Sequence, residues 1–347
     1  MTATLPAPDS VRRRPGTSAR RTGSPVTVRG LKISHPDRVI DPASGHTKLD
    51  LVRYYDDIAA RLLPHLRGRP CSLVRGPDGL AGSLFFQKHM ERRAIPGVTR
   101  LPAALWPAHE PLMAIDSAHG VVGAAQMNTI EFHTWNAKVE RIDAPDRMVF
   151  DLDPGDGVGW PQMRDAARQV RDLLHDLALE SWVKTSGSRG LHVVVPLAPR
   201  YGWDAVRDFS HAIVDRLAST RPDVFAGKSG AANRVGRIFA DYLRNGLNAT
   251  TATAYSVRAR PGLGVSMPVH WGELDEIDGA AHWTVDNACD HLARRRDDPW
   301  AGYWRRKQNV ANAMKRLGFE PGPPPAKPAK PAKREEAAMR RDAGRRR

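Results

Sequence analysis

Apolar residues recur along this chain at two periods, and the switches between them mark its elements. Over 47–62, Leu51, Tyr55, Ile58 and Leu62 share one side of a helical period. Thr47, with Asp50 three residues later, supplies a capping box ahead of them, so a helix opens there. Apolar or alternating runs near 71–75, 83–88, 112–115, 121–126 and 130–135 predict strands. Met148 to Phe150 begin another, which carries Asp151 and Asp153 and ends at the turn Pro154-Gly155. Pro161 suits a helix first turn, and Met163, Ala167, Val170, Leu174 and Leu177 follow at helical spacing. Strands near 182–185 and 191–195 flank a glycine-containing turn, and Val206, Phe209, Ile213 and Leu217 mark a further helix. Residues 234–242 and 252–257 read as strands, and a last helix runs from Asp298-Pro299 to Gly318. Adjacent strands interrupted by helices predict α/β or α+β layers, not a strict parallel repeat.

Composition narrows the setting. The 347 residues, 41% of them hydrophobic, suffice for one large domain or two small ones. No run of about 18 apolar residues predicts a membrane span, and the first 25 residues lack the apolar segment of a secretory signal. Cys71 and Cys289 are too few and too far apart for a zinc cluster or a disulfide framework, which fits a reducing cytoplasm. The net charge of +15 implies a polyanionic partner such as nucleic acid; solubilising tails are the plainer alternative. Residues 1–25 hold five arginines against Asp9, and residues 320–347 hold nine Lys/Arg against four acids. Both ends are rich in proline and expected to be disordered. A catalytic domain over 26–320 between basic tails 1–25 and 321–347 is the resulting organisation.

Three stretches carry candidate chemistry. Asp151 and Asp153 are two apart, so a strand points both carboxylates to one face and Leu152 to the other. Such a pair repels unless a cation sits between, and oxygen donors suit Mg²⁺ or Mn²⁺; a polar turn is the simpler account. Asp241 also ends an apolar run, with Arg234, Arg237 and Arg244 beside it. Three carboxylates can hold two metals roughly 4 Å apart, an arrangement for in-line phosphoryl displacement. Residues 186–192, Ser-Gly-Ser-Arg-Gly-Leu-His, offer hydroxyls, backbone amides, an arginine and a histidine to phosphate oxygens. They lack the Gly-Lys-Ser/Thr ending of a Walker loop and could equally form an ordinary hairpin turn. They lie one helix after the aspartates, the distance at which a neighbouring strand pair of the same sheet returns.

Together these stretches resemble a family. Phe-Asp-Leu-Asp-Pro-Gly at 150–155, Thr-Ser-Gly-Ser-Arg-Gly-Leu-His at 185–192, Phe-Ala-Asp-Tyr at 239–242 and Ala-Tyr-Ser-Val-Arg-Ala-Arg at 254–260 are similar to the polymerase domain of bacterial ligase D. Gln126 to His133 is similar to it as well. The resemblance runs from about 27 to about 315, with the motifs in order. It implies an archaeo-eukaryotic primase-like α/β (α+β) core with mixed central sheets flanked by helices, and a role in non-homologous end joining. It implies two Mn²⁺ or Mg²⁺ ions on Asp151, Asp153 and Asp241. It places Ser186, Ser188, Arg189, His192 and Arg258 on the incoming nucleoside triphosphate and His133 by its sugar. Phe85 and Phe86 would stack near the template base, one of them serving the core, with Lys88 close by. His35, Arg38 and Lys48 would grip the 5′-phosphate of a DNA gap. Ku and a separate DNA ligase are the implied protein partners, and the bacterial cytoplasm, with the nucleoid, the implied location.

The chain also departs from the pattern. His35 stands where asparagine occurs in the family, and Val74 where a basic residue does, which touches the end and nucleotide contacts. No Lys-x-Asp-Gly of a ligase adenylation site and no zinc knuckle of a replicative primase is present, so the reading is a stand-alone polymerase. The expected reaction is attack of a primer 3′-hydroxyl on the α-phosphorus with release of pyrophosphate. A metal-dependent nuclease and a non-catalytic DNA-end bridging protein are the competing classes.

Overall fold

The strand Arg147–Pro154 is the spine of the molecule. Met148, Val149, Phe150 and Leu152 are buried along it, while Asp151 and Asp153 stand half-exposed at its far end. The computed structural model describes residues 26–91 and 94–322, so the tails expected at 1–25 and 321–347 lie outside the described residues, except Pro321 and Gly322. No helix among the described residues is long and apolar enough to cross a membrane.

Two larger sheets stand beside a small antiparallel pair, Thr27–Val28 with Leu31–Lys32. The first orders Ile238–Asp241, Arg147–Pro154, Leu191–Pro196, Trp182–Thr185 and Pro268–Val269 side by side. The second orders Thr251–Ala252, Thr129–Thr134, Cys71–Arg75, Met113–Ala114 and Thr99–Arg100, with Phe85–Gln87 also paired to Cys71–Arg75. Strand pairs within both sheets are antiparallel; parallel pairing is confined to the isolated bridges Leu197–Gln308 and Phe225–Ile238. The helices Trp160–Asp176 and Trp203–Thr220 pack on the first sheet through Met163, Ala167, Val170, Phe209 and Ile213, at the predicted spacing. The α+β class is thus as the pattern implies.

Amides lock the sheets together. Asn245, fully buried, donates to Val149 O and accepts from Val149 N–H, both at 2.8 Å. Asn136 Nδ2 donates to Asn245 Oδ1 at 3.2 Å, and Arg147 Nε donates to Asn136 Oδ1 at 2.8 Å. Asn136, Arg147 and Asn245 thus each meet a partner, which keeps their burial from destabilising the core.

Several boundaries differ from the sequence pattern. The capping box at Thr47 forms, but its helix is two segments, Lys48–Asp57 and Ala59–Leu66. Residues 121–126 are not a strand: they belong to the helix Ala118–Gln126, capped by Ser117. That helix is buried nearly all round, so it lacks an amphipathic period, and a short apolar run cannot be told from a strand. Its glycines permit the burial, since a Cβ on Gly123 would stand 2.0 Å from Pro96 O. Of 234–242 only Ile238–Asp241 is a strand; of 252–257 only Ala252 belongs to one, Thr251–Ala252, before Tyr255 turns the chain at φ 67°. The last helix is Ala311–Leu317, ended as expected by left-handed Gly318, while 303–305 form a separate 3₁₀ turn.

Candidate active site

Antiparallel register assembles the acidic cluster. Asp241 lies opposite Asp151 on one side, and His192 lies opposite Asp151 on the other. Asp151, Asp153 and Asp241 each present an oxygen, and these oxygens lie within 4.8 Å of one another. Arg244 Nε is 3.2 Å from Asp151 and 3.1 Å from Asp241, and Arg234 is 3.5 Å from Asp153. Burial, then the charge of Asp151, pushes the Asp153 carboxyl up to about 6. Burial raises Asp241 too, against the pull of Arg244. Asp151 ends below the ordinary carboxylate range: burial opposes ionisation, but His192, Arg244 and Arg258 outweigh it. An all-oxygen cluster with two strained carboxyls fits a hard divalent cation.

His192 is buried with both ring nitrogens engaged. Nε2 stands 3.2 Å from Asp151 Oδ1 and Nδ1 2.9 Å from Lys184 Nζ. Lys184, also buried, donates to Ser266 Oγ at 2.5 Å. The turn before His192 is built on Ser186, whose Oγ accepts the N–H groups of Ser188 (3.1 Å) and Gly190 (3.0 Å). Its hydroxyl proton remains to donate. Gly190 packs against the spine strand so closely that a Cβ would stand 2.0 Å from Leu152 O. Arg258 Nη1 donates to Ser186 O at 2.8 Å, and its Nε lies 3.1 Å from Glu131 Oε2. Arg189 is instead 65% exposed, 3.6 Å from Asp156.

Glu131 connects this centre to the second sheet. It lies 2.6 Å from His133 Nε2 and accepts the N–H of Ala259 at 2.7 Å. Burial opposes its charge, yet His133 and Arg258 hold it down at about 2. The ring of His133 meets the edge of Phe86 at 5.4 Å. Phe85 and Phe86 are 39% and 42% exposed, so neither is core, contrary to the expectation that one would be. Arg75 lies over Phe85 at 5.0 Å and Lys88 over Phe86 at 5.9 Å. The hairpin edge gives the two rings no covering layer.

The third predicted group, His35, Arg38 and Lys48, gathers at the start of the helix Lys48–Asp57. Lys48 is only 2% exposed, and its Nζ donates to Ser34 Oγ at 3.2 Å. Among the described residues no carboxylate pairs with it. Burial, then the charge of Arg38, pushes its ammonium down to about 8. Arg38 donates to Pro77 O and accepts the Lys48 N–H at 2.7 Å. His35 is exposed beside them at φ 49°, a conformation that histidine and asparagine tolerate better than most.

Sequence reasoning missed Lys184, Glu131, Ser266 and Ser34. A lysine between Val183 and Thr185 in a strand was the available signal for the first. Glu131 alternates with His133, so both project to one face, but alternation alone does not separate a site from a solvated edge.

A sheet-borne acidic triad beside a serine-rich turn is an arrangement that suits metal-dependent phosphoryl transfer. The profile of the LigD primase-polymerase domain matches residues 47–300, and this chain belongs to that family of nucleotidyltransferases. It is 49% identical over 296 residues to the multifunctional non-homologous end joining protein LigD of Pseudomonas aeruginosa, covering 84% of this chain and 35% of that one. It is 33% identical over 275 residues to the corresponding LigD of Mycobacterium tuberculosis, covering 77% and 36%. The chain thus spans about a third of the length of these relatives. The polymerase domain of Mycobacterium tuberculosis ligase D in complex with DNA superimposes with a TM-score of 0.70 at 31% identity, covering 77% of this chain and 96% of that one.

Proposed function

We propose that the chain is a template-dependent nucleotidyltransferase that adds nucleotides to DNA 3′ ends at gaps and double-strand breaks. The observation that carries this is the convergence of Asp151, Asp153 and Asp241 beside the Ser186–His192 turn and Arg258. The three aspartates would hold two Mn²⁺ or Mg²⁺ ions, which supply Lewis acidity to the attacking and leaving oxygens. The protein's own groups do the positioning. Ser186, Ser188, Arg189 and Arg258 bind triphosphate oxygens, with His192 at the junction of turn and aspartates. His133, held by Glu131, sits by the sugar. Phe85 and Phe86 present exposed faces for the template base, with Lys88 supplying charge. His35, Arg38 and Lys48 take the 5′-phosphate on the far side of a gap; a buried lysine with no acidic partner among the described residues supports an anion there. Ku and a separate ligase in the bacterial cytoplasm, at the nucleoid, complete the reading.

Primer extension on gapped DNA, with and without a 5′-phosphate, with both sugar types and both metals, tests this. Templated addition is expected. Shortening of the primer without nucleotide gain would instead favour a nuclease, and DNA binding with neither would favour end bridging.

A further inference from the structure

A cleft of about 200 Å³ opens at the end of the Arg147–Pro154 strand opposite to the aspartates. Asp146, in its wall and just before the strand, is five residue steps from Asp151, roughly 17 Å. Its apolar floor includes Pro196 and Leu197. Trp304 forms one side and is 38% exposed. The edges of Tyr303 and His65 hold that indole, at 4.9 and 4.8 Å between ring centroids. Lys138, Arg141, Arg306 and Lys307 also line the cleft. Arg306 is engaged by Glu180 at 2.5 Å, and Arg141 is 4.0 Å from Asp143. Among the described residues Lys138 and Lys307 have no carboxylate partner. Of the two acids in the lining, Asp146 is occupied by Arg69 through two bonds of 2.5 and 2.7 Å, which leaves Glu140.

An exposed indole in one cleft with two lysines that have no carboxylate partner among the described residues, and with apolar Pro196 and Leu197, matches the chemistry of single-stranded nucleic acid. A duplex keeps its bases stacked and cannot use the indole. We propose that this cleft is a second nucleic-acid contact, in which Trp304 takes one unstacked base of a single-stranded overhang and Lys138 and Lys307 take the flanking phosphates. The inference rests on the reading of the chain as a DNA-end polymerase. It adds a recognition site away from the reacting groups, suited to the unpaired strand beyond the junction.

Fluorescence anisotropy of the full chain with a labelled oligothymidylate and with a blunt duplex tests it without catalysis. Trp304→Ala should weaken single-strand binding about tenfold, in the range of a lost base–aromatic stack, and duplex binding by less than twofold. Trp304→Phe should restore most of it. Lys138→Glu with Lys307→Glu should flatten the salt dependence for the single strand by about 1.4 in log–log slope, as for two lost phosphate contacts. Iodouracil in the oligonucleotide should photo-cross-link to Trp304. Equal losses on duplex and single strand, unchanged single-strand affinity in all three variants, or displacement of neither DNA but occupation by an acidic aromatic peptide would overturn the proposal. A chain that binds single strands through Trp304 yet never extends a primer would sink the polymerase reading and leave this one standing.

Discussion

Lys184 and His192 face each other across neighbouring strands, with Nζ 2.9 Å from Nδ1, and Asp151 faces His192 from the next strand. The three side chains therefore share one face of the sheet. An ionised Asp151 can only accept, so His192 must donate from Nε2; a neutral ring then accepts at Nδ1, and Lys184 is the donor. Lys184 thus fixes the tautomer that aims a donor at Asp151.

Lys184→Met should leave His192 free to reorient. Primer extension should fall at least tenfold and Mn²⁺ affinity should weaken several-fold, with DNA affinity unchanged. Lys184→Arg should recover part of both. Equal rates and equal Mn²⁺ affinity in Lys184→Met would remove the positioning role.

Asp151→Asn and Asp153→Asn keep shape and remove charge. Each should abolish extension while DNA binding survives or improves, because the lost charges repel phosphate. Mn²⁺ should raise the melting temperature of the wild type and not of Asp153→Asn. The raised Asp153 value sets the pH dependence. In the metal-free protein its contribution is fully present below the unfolded value near 3.8 and is lost as pH rises through about 6. Protons therefore compete with metal below about 6, and the Mn²⁺-induced rise should shrink there. A constant rise from pH 5 to 8, read by calorimetry, would contradict the assignment.

The elements around the site were legible because their signals are local. Asp151 and Asp153 at the end of an apolar strand, Pro161 opening a helix and Thr47 capping another need no tertiary information. The helix Ala118–Gln126 was not legible, since burial on all sides erases the period that would identify it. The same limit hid Lys184 and Glu131. Their partners lie on other segments, His192 on the neighbouring strand and Arg258 in the loop after Tyr255, and only the folded chain brings them into contact. Phe85 and Phe86 show the converse: two adjacent aromatics promised one core residue, and an edge hairpin left both in the open.

Arg189 makes only a loose pair with Asp156, so it is free to meet a triphosphate. Exposed pairs of this kind contribute little, about 0–1 kcal/mol. Arg189→Ala should therefore leave stability unchanged and weaken nucleotide affinity by about ten- to a hundredfold, as for a lost charge-assisted contact of roughly 1.5–3 kcal/mol. DNA affinity should change less. Steady-state kinetics at saturating DNA decide it: an unchanged nucleotide KM would remove Arg189 from the binding site.

Lys48 should show a conflict between stability and recognition. Its folded value near 8 lies below the unfolded value of 10.5. Between the two the unfolded chain binds more protons, so stability rises as pH climbs from 8 towards 10.5, and the cost of the buried charge is fully present below 8. Lys48→Met should therefore stabilise the protein at pH 7, by about 1–3 kcal/mol on the scale of such shifts. The same substitution should erase any preference for a 5′-phosphorylated gap, with little change in general DNA affinity. In the wild type that preference should be strongest below pH 8 and fade above it, as the ammonium loses its proton. Removing residues 1–25 and 321–347 should do the opposite, lowering general affinity and flattening its salt dependence while the preference survives. Equilibrium binding to gapped DNA with and without the 5′-phosphate, across pH and salt, separates the two. A preference that persists in Lys48→Met, or one that vanishes on truncation, would place the phosphate site elsewhere.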